Sequence, residues 1–243
     1  MWKPYSAGTG LARKAVRGLA LWGGATKVSR VRILVVEDQE IFRELLVRAC
    51  RERGFPVVAE AGDGLAAIEL VRSKKPDLLL LDIELPKADG FAVIEAARQI
   101  QPKAKFVVLS SICNAYTVYR LERARVQGFI DKNTGAVAQV QLALEKVQKG
   151  VSFFSETFES ARRARWEDFQ SFDRTLSVRQ VEVLRMIGDL RSDQEIAETL
   201  KISTDMVEKH RANIGRRIGT TSRIEMERWA QEKGFTTSLV RPH

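Results

Sequence analysis

The amino-acid sequence predicts two domains of different class: an α/β domain with a doubly wound parallel sheet, followed by a small all-α domain. Strand-sized apolar runs alternate with segments of helical periodicity between residues 31 and 149. One run, at residues 78–81, is four consecutive leucines, which indicates a strand buried on both faces, as in a parallel sheet. From Leu176 onward only helical patterns remain, so we expect no sheet in the second domain.

The first domain is predicted over residues 31–149 and contains five strand–helix units. This alternation predicts a five-stranded sheet with helices on both faces, and we expect the flavodoxin-like strand order. The predicted strands are 31–36, 56–61, 77–82, 104–110 and 128–131. The predicted helices are 39–53, 64–72, 88–101, 115–126 and 134–149. Ligands of such sheets bind at the carboxyl ends of the strands.

Other segments flank or join the domains. Residues 150–173 break the alternation and are predicted to be a linker, with some helix over 158–169. Residues 174–236 form the second domain, and the segment 237–243 is a tail. The short connections of the second domain are typical of a four-helix bundle, with predicted helices at 178–188, 193–200, 204–218 and 223–233.

The net charge of +9 arises largely from residues 1–30, which carry six basic and no acidic groups and are predicted to be a disordered extension. Total charge is therefore weak support for nucleic-acid binding. No apolar run approaches the roughly 18–20 residues of a membrane span, so we expect no membrane association. Two cysteines and two histidines exclude a disulfide framework and a histidine-rich metal site, and they fit a reducing cytoplasm.

Acidic residues follow two of the predicted strands. Glu37 and Asp38 come after the first strand, and Asp82 ends the third. These strand ends lie side by side in a right-handed β-α-β sheet, so the carboxylates should meet at one edge. Grouped carboxylate oxygens are typical ligands of Mg²⁺, which uses one or two protein carboxylates and retains several waters.

A lysine and a hydroxyl are predicted at the same edge, because Lys132 follows the fifth strand and Ser110 ends the fourth. With a bound cation, Lys132 would neutralise a transferred phosphoryl group, and Asp82 would be the carboxylate nucleophile. Taken singly, such an aspartate is more often a helix cap, and such a lysine is more often a solvated surface residue. Their joint occurrence at four strand ends favours phosphoryl chemistry.

A helix-turn-helix pattern is predicted at residues 193–218. Two helices are joined by about three residues, and Ser203 is a suitable N-cap for the second. The face opposite Val207 and Ile214 is basic and polar, which suits the major groove of double-stranded DNA. Taken alone, such a helix is more often a solvated surface helix. The candidate DNA contacts are Ser203, Thr204, Glu208, Lys209, Arg211, Ala212, Asn213, Arg216 and Arg217.

The segments ILVVEDQEIFRELL, LLLLDIELPKADGFAVI, VVLSS and GFIDKNT together resemble the receiver domain of response regulators over residues 31–149. The resemblance implies that Asp82 is the phosphoacceptor. It implies a Mg²⁺ site formed by Glu37, Asp38, Asp82 and the backbone carbonyl of Glu84. It further implies a phosphoryl contact by Lys132, a mobile hydroxyl on Ser110 and a switch aromatic at Phe129. Two positions depart from the family pattern, Ser111 where alanine is usual and Phe129 where tyrosine is common.

The second domain resembles the four-helix DNA-binding domain of NarL/LuxR-type regulators over residues 174–234. The match includes Leu176-Ser177, Glu195-Ile196-Ala197, Val207 and Gly219. The resemblance implies that 204–218 is the recognition helix and that 223–233 forms a dimer contact. Glu208 stands where lysine is frequent, so it would repel phosphate, pair within its helix or accept a hydrogen bond from cytosine.

The two resemblances together imply a cytoplasmic response regulator of the NarL/FixJ type. A sensor histidine kinase would phosphorylate Asp82, which would free the helical domain or favour a homodimer, and would thereby change DNA binding and transcription. The chain would not be an enzyme for an external substrate. One alternative is a DNA-binding regulator with a phosphorylation-independent receiver that serves dimerisation. Another is a phosphatase or phosphotransferase of the haloacid-dehalogenase kind, against which Glu84 stands where that class has a second aspartate.

Overall fold

The structure, a computed structural model, describes residues 30–168 and 171–236. The predicted extension (except Arg30) and the predicted tail lie outside these residues. The strands are β1 (Ile33–Val36), β2 (Val57–Ala61), β3 (Leu78–Asp82), β4 (Lys105–Ser110), β5 (Gly128–Asp131) and β6 (Phe153–Phe154). The helices of this part are α1 (Glu40–Glu52), α2 (Gly64–Lys74), α3 (Gly90–Ile100), α4 (Ala115–Arg123), α5 (Ala136–Gln148) and α6 (Glu156–Glu167).

All strand pairs are parallel, and the sheet order is β2-β1-β3-β4-β5-β6. The α/β class and the flavodoxin-like order of the first five strands are therefore confirmed. Helices α1 and α5 cover one face, while α2, α3 and α4 cover the other. Leu78 and Leu80 pack into the first of these layers, and Leu79 and Leu81 into the second. This explains why β3 consists of leucine on both faces.

The sheet has six strands where the sequence predicts five. Phe153 and Phe154 pair in parallel with β5. A strand of two residues is too short to produce a periodic pattern, so nothing in the sequence distinguishes it from a linker. The strand approaches β5 closely, since a Cβ on Gly128 would lie 2.9 Å from the carbonyl oxygen of Phe153. Most of the segment predicted as a linker, 150–173, is therefore structured in β6, α6 and the short helix α7 (Phe172–Thr175).

Helix α4 is shorter than the predicted helix 115–126. Arg125 adopts a left-handed backbone with a φ of 49°, which ends the helix. The guanidinium of Arg98 on α3 then donates hydrogen bonds to the carbonyl oxygens of Ala124 and Arg125. The end of α4 is thus fixed by a side chain from a neighbouring helix, which local sequence does not reveal.

The second domain consists of α8 (Val178–Gly188), α9 (Asp193–Leu200), α10 (Thr204–Ile218) and α11 (Arg223–Glu232). Each begins at a serine whose side chain accepts a backbone hydrogen bond: Ser177, Ser192, Ser203 and Ser222. Gly219 ends α10 with a φ of 84°, a conformation that glycine adopts without steric cost. Within the described residues, the structure contains no helix that is both long and apolar enough to cross a membrane.

Candidate functional site

Three carboxylates meet at the carboxyl edge of the sheet. β1 lies beside β3, so Glu37, which follows β1, is brought next to Asp82 at the end of β3. Glu37 and Asp82 are almost completely buried, whereas Asp38 is exposed. One oxygen from each carboxylate lies within 4.8 Å of the other two. The predicted acid cluster is therefore assembled by the sheet topology.

Lys132 lies among these carboxylates. Its Nζ is 2.6 Å from Asp82 Oδ2 and 2.8 Å from Glu37 Oε2, and the side chain is largely buried. The other oxygen of Asp82, Oδ1, accepts a hydrogen bond of 2.9 Å from the backbone N–H of Glu84. Asp82 is thus held through both oxygens by residues from two different loops.

Burial and charge shift the pKa values of all three buried groups. Burial raises the pKa of Glu37 to about 7, although Lys132 opposes the shift. Burial likewise raises the pKa of Asp82. Burial by itself would lower the pKa of Lys132, but the charges and hydrogen bonds of Asp82 and Glu37 outweigh it and hold that pKa above its usual value. The lysine therefore keeps its positive charge beside two carboxylates that are costly to ionise.

The donor set fits a hard divalent cation. Glu37 Oε2 is buried and lies 2.8 Å from Lys132 Nζ, but no donor among the described residues is aligned to form a hydrogen bond with it. Its neighbours Asp38, Asp82 and Lys132 line a cleft of about 470 Å³ that is open to solvent, together with Gln39, Phe42, Glu84 and Ser111. Carboxylate oxygens at the base of a wet cleft can complete the coordination of an ion that retains its own waters.

Ser110 is buried at the end of β4, on the same edge as Asp82. Its Oγ accepts a hydrogen bond of 2.9 Å from the N–H of Ile112 and donates one of 3.1 Å to the carbonyl oxygen of Ile112. The hydroxyl is therefore bonded to the loop that leads into α4. Phe129 on β5 is fully buried, and its ring packs 5.2 Å from that of Phe158 on α6.

Sequence reasoning missed two parts of the site. The carboxylate of Glu84, a residue predicted to bind Mg²⁺ through its backbone carbonyl alone, accepts a hydrogen bond of 2.8 Å from the Ser111 hydroxyl. The ring of Phe42 lies 5.3 Å from Lys132 Nζ and forms one wall of the cleft. The serine at position 111, where the family usually has alanine, was a signal in the sequence that could have indicated a polar partner such as the Glu84 carboxylate. No such signal marks Phe42, because an aromatic residue in the first turn of a helix is common in a protein core.

The loop after Asp82 leaves no room at Gly90. A Cβ there would lie 2.5 Å from the carbonyl oxygen of Asp82 and 2.6 Å from the Cα of Ile83. The N–H of Gly90 also donates a hydrogen bond of 3.1 Å to the carbonyl oxygen of Ile83. Glycine is required here because the backbone of α3 touches the backbone of Asp82.

Helix α10 presents most of the predicted DNA contacts to solvent. Seven of the nine are exposed: Ser203, Thr204, Glu208, Lys209, Ala212, Arg216 and Arg217. The hydroxyl of Ser203 accepts a hydrogen bond of 3.2 Å from the N–H of Met206, so it caps the helix. Lys209, Arg216 and Arg217 are long basic side chains on an accessible helix, which is the arrangement that phosphate contacts need.

The other two predicted contacts, Arg211 and Asn213, are half-buried. Arg211 lies 3.0 Å from Asp193 Oδ2 at the start of α9, and Arg223 of α11 lies 2.6 Å from the other oxygen of Asp193. Asn213 accepts a hydrogen bond from Arg216 one turn later. Arg211 is therefore part of an ion-pair network that joins three helices, a role that the sequence pattern did not indicate.

Two family models match the chain. Residues 33–144 match the response regulator receiver domain, and residues 174–230 match the bacterial regulatory proteins of the luxR family. The first match covers the sheet with Asp82 and Lys132, and the second covers α8 to α10 and most of α11. The two predicted resemblances are thus confirmed over these residues, which make up most of the ranges 31–149 and 174–234 in which they were stated.

Curated relatives share both parts. The Fimbriae Z protein of Salmonella typhimurium is 32% identical over 201 residues, which is 82% of this chain and 95% of that protein. The transcriptional regulatory protein DegU of Brevibacillus brevis is 28% identical over 216 residues, which is 81% of this chain and 91% of that protein.

A solved structure of the response regulator RcsB in complex with DNA has a TM-score of 0.58 at 21% identity. The similarity covers 84% of this chain and 98% of that one, which supports the fold. The chain therefore belongs to the response regulators in which a receiver domain is joined to a DNA-binding domain of the luxR family.

Proposed function

We propose that Asp82 accepts a phosphoryl group from a sensor histidine kinase and that this modification controls how the second domain binds promoter DNA. The observation that carries the proposal is the contact of 2.6 Å between Lys132 Nζ and Asp82 Oδ2 at the base of a solvent-open cleft. A fixed cation at this position stabilises the negative charge that develops during phosphoryl transfer.

The transfer is an in-line displacement. An Asp82 oxygen forms a bond to phosphorus while the phosphorus–nitrogen bond of the kinase phosphohistidine breaks. The leaving imidazole nitrogen takes the electron pair and then a proton. Lys132 then binds a phosphoryl oxygen, and the Ser110 hydroxyl turns from Ile112 to donate to another. The hydrolysis of this acyl phosphate returns the carboxylate, so the domain acts on no substrate other than its own aspartate.

Mg²⁺ would be held by the carboxylates of Glu37, Asp38 and Asp82 and by the backbone carbonyl of Glu84. When bound, the ion supplies positive charge to the phosphoryl oxygens. Of the three carboxylates, only Asp38 is exposed at the cleft, which leaves it accessible to an incoming cation. Glu37 contributes the buried oxygen that lacks an aligned donor among the described residues.

The second domain would place α10 in the major groove of double-stranded DNA. Lys209, Arg216 and Arg217 would neutralise phosphates or read base edges, and Ser203 and Thr204 lie where a helix N-terminus meets a phosphate. A phosphorylated homodimer would present two such helices to half-sites one helical turn apart. The protein would act in the cytoplasm, where kinase and promoter are both available.

The test is to incubate the purified protein with acetyl phosphate and Mg²⁺ and to follow intact mass and DNA affinity together. We expect one phosphate adduct that is absent in Asp82→Asn. Asp131→Asn is the matched control, because Asp131 is a second buried aspartate at the same sheet edge and its amide would keep the existing hydrogen bond from Asn133. That variant should still form the adduct.

The outcomes distinguish a receiver that is controlled by phosphorylation from one that is independent of it. An adduct that disappears in Asp82→Asn, with DNA affinity that rises on phosphorylation, supports the proposal. Unchanged DNA binding and regulation in Asp82→Asn overturns it and supports a phosphorylation-independent receiver. The absence of an adduct with both acetyl phosphate and a phosphorylated histidine kinase overturns the assignment of Asp82 itself.

A further inference from the structure

Another solvent-open cleft, of about 490 Å³, lies between α3 and α4 of the receiver and α8 of the second domain. We call it the interdomain cleft. It shares no lining residue with the cleft beside Asp82. Its volume is typical of sites for small molecules, which commonly span roughly 300–1,000 Å³ and often lie where two domains meet. The charges and apolar surfaces that line it therefore determine what kind of molecule it can bind.

Arg120 of α4 brings to this cleft a positive charge that the protein does not fully compensate. Its side chain is 24% exposed, and its guanidinium carbon lies 3.5 Å from the centroid of the Phe91 ring. Its Nη2 is 3.8 Å from Asp89 Oδ2, which is too long for a hydrogen bond, and the guanidinium donates no hydrogen bond to any residue that the structure describes. Burial accordingly lowers the pKa of Arg120. Donors that are shielded from water are normally satisfied by an acceptor, so this guanidinium is available to bind one.

Two more charged side chains of the interdomain cleft are unpaired within the part of the chain that the structure describes. Arg123, one turn after Arg120, lies over the Tyr119 ring at 5.6 Å and forms no ion pair there. Glu95 of α3 is exposed and forms neither an ion pair nor a hydrogen bond with a described residue. The cleft thus offers Arg120 and Arg123 as cations, and Glu95 and Asp89 as carboxylates.

The other two charged residues of the cleft are neutralised by neighbours on α8 and at its end. Glu182 lies 2.9 Å from Arg179, and Arg185 lies 3.3 Å from Asp189. Because two cations and two carboxylates are left, the cleft favours neither a simple anion nor a simple cation. A ligand that carries one charge of each sign on neighbouring atoms matches both kinds of group.

The side of the cleft that the second domain forms is apolar. It is lined by Val178, Val181, Met186 and Leu200. Val178 is 46% exposed, so an apolar group placed against it would remove hydrocarbon surface from water. The cleft therefore combines charges of both signs on the receiver side with an apolar wall opposite.

We infer that the interdomain cleft binds a free α-amino acid with an apolar side chain. The carboxylate binds Arg120 and Arg123, and the ammonium group binds Glu95 and Asp89. The side chain covers Val178. An α-amino acid carries its two charges on one carbon, which suits a cleft in which Arg120 and Asp89 are 3.8 Å apart. A peptide separates its terminal charges by one or more residues and fits this spacing less well. The site is separate from the proposed phosphoryl chemistry, so the two proposals can fail independently.

The test is isothermal titration calorimetry of the purified full chain with L-leucine, L-isoleucine, L-methionine, L-phenylalanine and L-tryptophan, each alone. We expect at least one of them to bind at millimolar concentration or below. Its N-acetyl derivative lacks the ammonium group and its amide lacks the carboxylate. Each derivative should bind about tenfold more weakly or worse, because each loses a charge-assisted contact. Glycine, which has no apolar side chain, should also bind more weakly.

Two variants locate the site. Arg120→Gln should weaken binding of the amino acid about tenfold but leave binding of its amide almost unchanged, because the amide has no carboxylate to lose a partner. Glu95→Gln should behave in the same way, with the N-acetyl derivative in place of the amide. This pairing distinguishes a lost contact from a general disturbance of the fold. Glu44→Gln is the control and should bind as wild type, since Glu44 is an exposed glutamate of α1 on the opposite face of the sheet.

Three results would overturn the inference: no binding of any of the five amino acids at millimolar concentration, equal affinity for an amino acid and its two derivatives, or wild-type affinity in both variants. Glu95→Gln keeps the test valid if Arg120→Gln loses its fold, because Glu95 is exposed. Both variants should still form the phosphate adduct on Asp82, followed by intact mass. Failure of amino-acid binding is thereby distinguished from failure of the phosphoacceptor.

Discussion

The carboxyl edge of the sheet and helix α10 hold their charged side chains in opposite environments. At the sheet edge, Glu37, Asp82 and Lys132 are desolvated, and Lys132 Nζ lies 2.6–3.1 Å from oxygens of both carboxylates. On α10, Lys209 and Arg217 are exposed to solvent. A buried charge depends on its partner for its stability, whereas an exposed one loses little when a neighbour is removed. Substitutions at the edge should therefore affect folding and chemistry together, and substitutions of the exposed basic residues of α10 should affect binding alone.

The largest effect should come from Lys132→Ala. It leaves two buried carboxylates without their cation, so we expect a loss of about 3 kcal/mol in the free energy of unfolding, together with loss of phosphorylation. The matched control is Lys87→Ala, because Lys87 also lies 2.6 Å from an aspartate, Asp63, but is mostly exposed. Urea unfolding should show no measurable change for the control. Equal losses for the two variants would contradict the contrast between buried and exposed pairs.

A smaller loss is expected for Gly90→Ala, which places a methyl group against the backbone of Asp82 and Ile83. Backbone atoms cannot turn aside as a flexible side chain can, so we expect a cost of about 1–3 kcal/mol and slower phosphorylation. Gly62→Ala is the control, since its nearest atom is the tip of the Arg43 side chain at 3.4 Å. Urea unfolding and the rate of adduct formation measure both. If Gly90→Ala has the stability and the phosphorylation rate of the wild type, the loop after Asp82 moves to accommodate the added methyl group and the expected steric conflict is absent.

On α10 the comparison can be made between two basic residues of the same helix. Lys209→Ala should leave the unfolding free energy unchanged and reduce the slope of log affinity against log salt by about 0.9, the value for one lost phosphate contact. Arg211→Ala should alter the slope less and lower stability, since Asp193 loses one of its two arginine partners. The same salt slope for both variants would mean that Arg211 leaves Asp193 when DNA binds.

The sequence predicted the sheet, the acid cluster and the helix-turn-helix because each follows from local pattern or strand order. Four leucines in a row required burial on both faces, and strand ends in a parallel sheet necessarily share one edge. By contrast, β6 is two residues long, and α4 ends at a residue that is fixed by Arg98 of another helix. Features of this kind depend on tertiary contact and leave no periodic trace.

The same distinction holds within the candidate site. Asp82 and Lys132 are identified by position, because Asp82 ends β3 and Lys132 directly follows β5 of the same sheet. The hydrogen-bond partner of Ser111 is Glu84, which lies in the loop after β3, whereas Ser111 lies in the loop after β4. Local sequence therefore does not identify this pair. Arg165 falls in a segment predicted as a linker, and nothing in its surroundings distinguished it from the neighbouring surface arginines. Its burial between the carboxylates of Glu122 on α4 and Asp173 on α7 depends on tertiary packing.

The smallest effect concerns two glutamates whose pKa values are shifted in opposite directions. Burial raises the pKa of Glu37, whereas hydrogen bonds from the backbone and hydroxyl of Ser192, at 2.7 and 2.9 Å, lower that of Glu195. A carboxyl with a lowered folded pKa stabilises the fold above its unfolded value of 4.5, and that contribution is lost as the pH falls through the folded pKa. A raised pKa has the opposite sign, so ionising Glu37 costs stability as the pH rises toward 7.

Glu195→Gln should therefore reduce the acid sensitivity of the second domain, because the amide still accepts a hydrogen bond but carries no charge that protonation could remove. Unfolding by urea between pH 3 and 7, read from signals of α9 in NMR spectra, measures the difference. Ser192→Ala removes the hydroxyl but retains the N–H, so its profile should lie between those of the wild type and Glu195→Gln. If Glu195→Gln has the same pH profile as the wild type, the capping carboxylate has the same affinity for protons in the folded and the unfolded chain. The contrast between the buried and the exposed glutamate would then depend on Glu37 alone.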